Sequence, residues 1–242
     1  MGGIADLVPV IAATWPPART QRVGPFTVPS GAGGGQRVSA ARLTDPAATD
    51  ATEAEIDAAI AALADFGQPP LFQVLDHQDA LDARLAARGL ILRDTTQAMV
   101  MPCADLAAAP PPVTCFATWP PLAIQTEIWA KGGIGPARLA VMERVTGPRM
   151  SFFGRTNDKP AGTAFVAIHQ GCAMLHALEI APAHRRKGLA ATMMRAAADW
   201  AQTEGAVTMA ILVTGENQPA LGLYASLGFH AVGHYHYRSQ RS

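Results

Sequence analysis

The chain has 242 residues, 49% of them hydrophobic, enough to bury a core in two compact units or one large one. Its 19 basic and 19 acidic residues balance to a formal net charge of +0. That leaves no basic surplus for a nucleic-acid partner, and the absence of an apolar run of about 18 residues predicts no membrane span.

Met1 to Asp6 lacks the charged start of a secretory signal, and Asp6 stands where a myristoylation signal after Gly2 needs Ser or Thr. Ser30 to Arg37 is Gly-rich without the Gly-Lys-Ser/Thr ending of a nucleotide loop, and predicts a flexible hairpin. A strand from Arg37 to Leu43 leads into the acidic stretch Thr44 to Glu55. A helix from Ile56 to Ala64 follows, capped by Thr52 or Asp50. Leu71 to Leu75 predicts a strand, and Ala80 to Arg88 a helix closed by Gly89. Pro102 to Pro112 reads as a linker, because its three consecutive prolines neither continue a helix nor enter a sheet. The predicted units are residues 1–105, a linker at 106–115, and residues 116–242.

In the second unit, Ile124 to Lys131 and Ala137 to Val145 predict helices. Met150 to Gly154 and Thr163 to Ile168 predict strands joined by a turn at Thr156 to Pro160. Ala173 to Ile180 is a third strand. A basic loop then opens a helix from Gly188 to Gln202, with Leu189, Met193, Ala196, Ala197 and Trp200 at helical spacing. Val207 to Val213 is a strand, Pro219 to Leu227 a helix closed by Gly228, and His230 to Tyr237 a last strand. The expected fold class is α/β, a mixed and mostly antiparallel sheet with flanking helices. Ala13-Thr14-Trp15-Pro16-Pro17 recurs as Ala117-Thr118-Trp119-Pro120-Pro121, and each half ends in strand, helix and glycine, a pattern that points to two tandem copies.

The cysteines Cys103, Cys115 and Cys172 are odd in number and far apart. They predict buried side chains in a reducing cytoplasm rather than a disulfide or zinc framework. His230, His234 and His236 share one face of a regular strand and read as polar surface, with no metal assigned.

Chemistry concentrates at Arg185-Arg186-Lys187-Gly188-Leu189-Ala190. A strand ends, a turn follows, and a helix begins at small residues. Free N–H groups at a helix start carry partial positive charge and bind phosphate oxygens. Gly188 and Ala190 leave the backbone open to a bulky anion. This stretch resembles the Gln/Arg-x-x-Gly-x-Gly/Ala pyrophosphate loop of the GNAT acetyltransferases. The segment Asn217-Gln218-Pro219-Ala220-Leu221-Gly222-Leu223-Tyr224-Ala225-Ser226-Leu227-Gly228-Phe229 is similar to a second block of that family, with Asn seven residues before Tyr and Gly four after it. Both blocks stand in order, separated by one helix and one strand, and the resemblance covers about Thr118 to Arg238.

The resemblance implies an acyl-CoA-dependent N-acyltransferase with acetyl-CoA as co-substrate, no metal, and a small-molecule amine as acceptor. Arg185, Arg186, Lys187, Gly188, Leu189 and Ala190 would bind the pyrophosphate. Leu178 and Ile180 would contact the pantetheine arm through their backbone, and Asn217 would lie beside it. Tyr224 would protonate the leaving thiolate. His176 and Glu179 compete as the base that takes the amine's proton; regular alternation along the strand puts them on opposite faces. Two other readings stay open, a non-catalytic acyl-CoA-binding module and a protein N-terminal or lysine acetyltransferase. The first half reads as a degenerate copy: Leu85 stands where Tyr224 stands in the second half, and its helix start is acidic where a pyrophosphate needs the reverse. Its expected role is structural, as one wall of the acceptor site.

Overall fold

The structure is a computed structural model and describes residues 2–241. In chain order the elements are α1 (Ile4–Thr14), β1 (Arg19–Val23), β2 (Phe26–Ser30), β3 (Arg42–Leu43), α2 (Glu53–Asp65), β4 (Leu71–Leu75), α3 (Asp79–Ala87) and β5 (Ile91–Pro102). They continue with α4 (Cys103–Leu106), β6 (Cys115–Thr118), α5 (Ala123–Lys131), α6 (Pro136–Glu143), β7 (Arg149–Thr156), β8 (Lys159–His169), β9 (Cys172–Ile180), α7 (Leu189–Thr203), β10 (Thr208–Thr214), α8 (Gln218–Ser226) and β11 (His230–Ser239).

Three short strands, β1, β2 and β3, form a small sheet packed by α2. The other eight form one sheet in the order β4-β11-β5-β10-β9-β8-β7-β6. All its neighbouring pairs run antiparallel except β9 with β10. This is the mixed, mostly antiparallel α/β sheet expected from the sequence. The units β4–α3–β5 and β10–α8–β11 each leave a gap between their two strands, and each gap is filled by the other unit. β11 lies between β4 and β5, and β5 lies between β11 and β10. The two halves therefore share one sheet by exchanging strands.

Several sequence expectations change in detail. Ile4, Leu7, Val8 and Ile11 are buried along one face of α1, a helix the sequence reading passed over. The predicted hairpin at Ser30 to Arg37 is a turn with Gly33 and Gly35 at φ +80° and +96°, leading into a single helical turn at Gln36–Val38. The predicted strand to Leu43 shrinks to Arg42–Leu43. The linker expected to start at Pro102 instead begins with the one-turn helix α4, anchored by buried Cys103 and Leu106 against α7. Thr52 caps α2 in a capping box with Glu55. All three cysteines are buried thiols, with their pKa pushed up by burial to about 11 at Cys103 and Cys115 and about 12 at Cys172.

One face of the central sheet packs on α7, whose Met193, Met194, Ala197 and Ala201 meet Phe152, Ala164, Val166 and Leu175. A second cluster joins Trp15, Trp129, Val141, Met142 and Phe165. α1 reaches across from the first half onto β8 and β9, so both halves converge on the strand that carries the expected chemistry.

Candidate active site

β9 is not a regular strand. Thr163 on β8 faces Glu179, and Phe165 faces His176, so two steps on β8 oppose three on β9. The extra residue is a bulge at Ala177, with φ +52°. A non-glycine residue in this region costs roughly 1–2 kcal/mol, and neighbours hold it there. The Ala177 carbonyl accepts a hydrogen bond from Trp129 Nε1 at 2.7 Å, and Trp129 is fully buried on α5. Ala177 and Leu178 have no partner in the β8 register, and pairing with β10 stops at Leu175 opposite Ile211. Beyond that point β9 and β10 splay apart.

The splay joins three cavities. A groove of about 460 Å³ runs along the start of α7 and past α8. A slot of about 240 Å³ lies between the splayed strands and shares Leu178, Asn217 and Tyr224 with the groove. A chamber of about 250 Å³ continues from the slot and shares Arg37, His176, Ala177 and Thr214 with it. The result is a row of three neighbouring cavities, from the α7 terminus, between the strands, to a chamber walled by both halves.

The expected phosphate loop forms the groove's rim. Gly188 caps α7 at φ +80°, and the space beside its Cα is open. Arg185, Arg186, Gly188, Leu189 and Ala190 line the groove, together with Leu178, Ile180 and Asn217. Lys187 is not among the lining residues; its Nζ donates to the Ala183 carbonyl. The Ile180 carbonyl already accepts from Arg185 Nε at 2.9 Å. Asn217 has a structural task as well, since its Oδ1 accepts from the Ala220 N–H and caps α8. His184, unremarked in the sequence, also lines the groove with a buried Nδ1 that has no partner.

Tyr224 sits where groove and slot meet. Its side chain is buried, and burial pushes its pKa up to about 12. The hydroxyl is therefore a neutral donor throughout the physiological range.

The two expected bases need correction. The Ala177 bulge places His176 and Glu179 on the same face of the sheet, because they oppose Phe165 and Thr163, two residues apart on β8. Regular alternation fails where a strand carries an extra residue. They nevertheless do not share a cavity: Glu179 lines the groove, and His176 the slot and chamber. Glu179 accepts from Arg185 Nη2 at 3.0 Å and tethers the loop. His176 is buried and stacks on Trp15 at 4.8 Å. The Thr14 hydroxyl donates to the Val10 carbonyl at 2.7 Å, so it must accept from His176 Nε2, 3.0 Å away. Nδ1 is then the bare nitrogen, and it faces Arg37 Nη1 at 3.3 Å. Burial first, then the Arg37 charge, holds the His176 pKa well below 6.5. Both ring nitrogens are thus engaged, and the imidazolium form is disfavoured.

The chamber adds residues that sequence reading missed, among them Arg37, Asp94, Arg138, Thr214 and Tyr235. They come from separate parts of the chain, and only an arginine ending a glycine run hinted at any of them.

Residues 116–229, just under half of the chain, match a family model described as the acetyltransferase (GNAT) family. This stretch is similar to the GNAT acetyltransferases. It is 33% identical over 103 residues to an uncharacterized N-acetyltransferase, YobR, of Bacillus subtilis, a match covering 42% of this chain and 41% of that protein. A shorter match, 43% identical over 56 residues, is to streptothricin acetyltransferase of Streptomyces lavendulae, covering 23% of this chain and 30% of that protein. The matches thus span less than half the length of these curated relatives. The whole fold resembles a GCN5-related N-acetyltransferase from Kribbella flavida, with TM-score 0.73, 18% identity and coverage of 100% of this chain and 97% of that one. It also resembles a tandem GNAT protein from the clavulanic acid biosynthesis pathway, with TM-score 0.62, 16% identity and coverage of 97% and 88%. The GNAT fold thus extends over both halves. Among the described residues no helix is long and apolar enough to cross a membrane.

Proposed function

We propose that the protein is an acyl-CoA-dependent N-acyltransferase that moves acetyl from acetyl-CoA to a primary amine of a small or amino-acid-like acceptor by direct attack. The observation that carries this reading is the succession of groove, slot and chamber, each sharing wall residues with the next, with Tyr224 where groove and slot meet. The pyrophosphate of the co-substrate suits the rim at Gly188 to Ala190, where the free N–H groups of a 15-residue helix begin. Arg185 and Arg186 add charge there. The acyl arm suits the slot.

In the reaction an uncharged amine enters from the chamber and attacks the thioester carbon. The N–C bond forms, the C–S bond breaks, the nitrogen gives up a proton, and the thiolate takes one. Ala177 and Leu178 lie outside both strand registers, and a backbone N–H of this stretch is the proposed donor to the oxyanion. Tyr224 supplies the proton to sulfur. The chamber, at or below the small end of ordinary ligand sites, favours a small acceptor over a folded protein.

The first half, in this reading, is a degenerate copy that binds no co-substrate. Its helix α2 starts with Glu53 and Glu55, and Arg84 of α3 and Arg88 just past its end bridge to Asp50, Glu53 and Asp57 around that start. The test is thiol release from acetyl-CoA and two longer acyl-CoAs against a panel of amines, paired with calorimetry of CoA. One CoA per chain and amine-dependent release are expected. Binding with no transfer to any amine would favour an acyl-CoA-binding module, and two CoA per chain would contradict the degenerate first half.

A further inference from the structure

Arg37 occupies an unusual place. It stands where slot and chamber meet. Its Nε is buried without a hydrogen-bond partner. Its hydrogen-bonded neighbour is neutral: Nη1 faces His176 Nδ1 at 3.3 Å, and Tyr235 and Tyr237 line the same chamber. Among the described residues no carboxylate stands within 4.0 Å of its guanidinium, although Arg84, Arg88, Arg155, Arg185 and Arg238 each have one. Removing a guanidinium from water is costly unless an anion replaces the lost hydration. A fold that holds one half-buried beside a neutral partner, facing a cavity, leaves the place of the counter-ion to a ligand. The planar guanidinium fork matches a carboxylate in two-point contact.

The hydrogen bonds behind Arg37 fix its orientation. Val10, Thr14 and His176 form a relay in which carbonyl, hydroxyl and imidazole each have one available role, so the lone pair of His176 Nδ1 is turned to Arg37. The stack on Trp15 holds the ring in plane. Arg138 at the chamber wall is a second cation, and Asp94 the chamber's carboxylate. With His176 neutral, the lining charges are two positive and one negative.

We infer that the acceptor is an amine carrying a carboxylate close to its amino group, that Arg37 from the first half anchors that carboxylate, and that His176 is the positioning residue for Arg37. The inference rests on the acyltransferase reading for the identity of the amine, but the anion site stands on geometry alone. Because Arg37 lines the slot as well as the chamber, a carboxylate held there lies near the point of transfer. An α- or β-amino acid fits this arrangement, with its side chain in the chamber lined by Asp94 and Arg138. In this arrangement the first half selects the acceptor, and the second half holds the acyl donor.

The test uses matched pairs that differ only in this group, N-acetyl amino acids and their N-acetyl carboxamides, titrated calorimetrically into the full-length protein with and without CoA. In the wild type at least one acid should bind roughly tenfold or more tighter than its amide, the scale of a charge-assisted pair. Arg37→Gln should erase the difference. Arg37→Lys, which keeps the charge and loses the fork, should retain part of it. His176→Gln should weaken binding of the acid more than that of the amide, a split that general loss of structure would not give. Equal binding of acid and amide, binding of neither across the panel, or a preference that survives Arg37→Gln would overturn the inference. Absence of CoA binding would instead sink the acyltransferase reading while leaving the acid–amide comparison intact.

Discussion

Tyr224 and His176 were both singled out for proton transfer, and their surroundings separate them. Tyr224 lies where groove and slot meet, with its pKa raised to about 12. Tyr224→Phe should leave CoA affinity nearly unchanged and lower the rate of the chemical step about 100-fold, the low end for a positioned acid, since a thiolate is already a fair leaving group. A single-turnover rate within about twofold of wild type would remove the acid role. His176 stands in a different setting, stacked on Trp15 and facing Arg37. Its folded pKa is held well below its unfolded value near 6.5, so below about pH 6.5 the unfolded chain binds the extra proton. The stability present above that pH should fall as pH drops, by up to about 1.4 kcal/mol per pH unit from this group. Urea titrations from about pH 7.5 down to 5 would show the slope. His176→Gln, which does not titrate there, should flatten it, and an unchanged slope in that variant would assign it elsewhere.

At the scale of elements the decisive feature is the bulge in β9. It ends the pairing with β10, opens the slot, and changes which side chains share a face. Trp129 on α5 holds it through the Ala177 carbonyl. Trp129→Phe keeps most of the packing and deletes the donor, leaving a buried carbonyl unsatisfied. The expected loss is about 1–3 kcal/mol of stability, measured by chemical denaturation, together with weaker CoA binding. A variant as stable as wild type would show that the bulge stands without the indole. The same element explains a limit of pattern reading. The span of β9 was legible from its apolar run and following proline, but one inserted residue inverts the facing of everything beyond it, and no local pattern marks Ala177 as the place.

For the whole molecule the exchanged strands make the halves interdependent. Without β5, β10 and β11 are no longer adjacent to a common partner, and without β11 the same holds for β4 and β5. Cutting the chain after Ala108, in the exposed stretch between α4 and β6, should yield two fragments that do not unfold cooperatively alone and regain a cooperative transition when mixed. Circular dichroism melting of each fragment and of the mixture measures this. A fragment from Ala109 onward that melts like the intact protein would show that the second half folds unaided. Strand β5 went unread for the same reason that it matters. Its Arg93-Asp94-Thr95-Thr96-Gln97 centre breaks the apolar pattern, and its strand conformation depends on partners supplied from more than a hundred residues away.

The sequence by itself determined the local chemistry: the open start of α7 at Gly188, the cap at Asn217, the tyrosine on α8, the acidic start of α2 and the order of elements in the second half. Each depends on residues within a turn or two of one another, where propensity, capping and spacing act. Only the tertiary structure decided how the halves join, which face His176 takes, and that Arg37 meets Thr214 and Tyr235 around one chamber. Those outcomes depend on strand exchange and a bulge, which are settled by packing between segments far apart in the chain and leave no periodic signal in either segment alone.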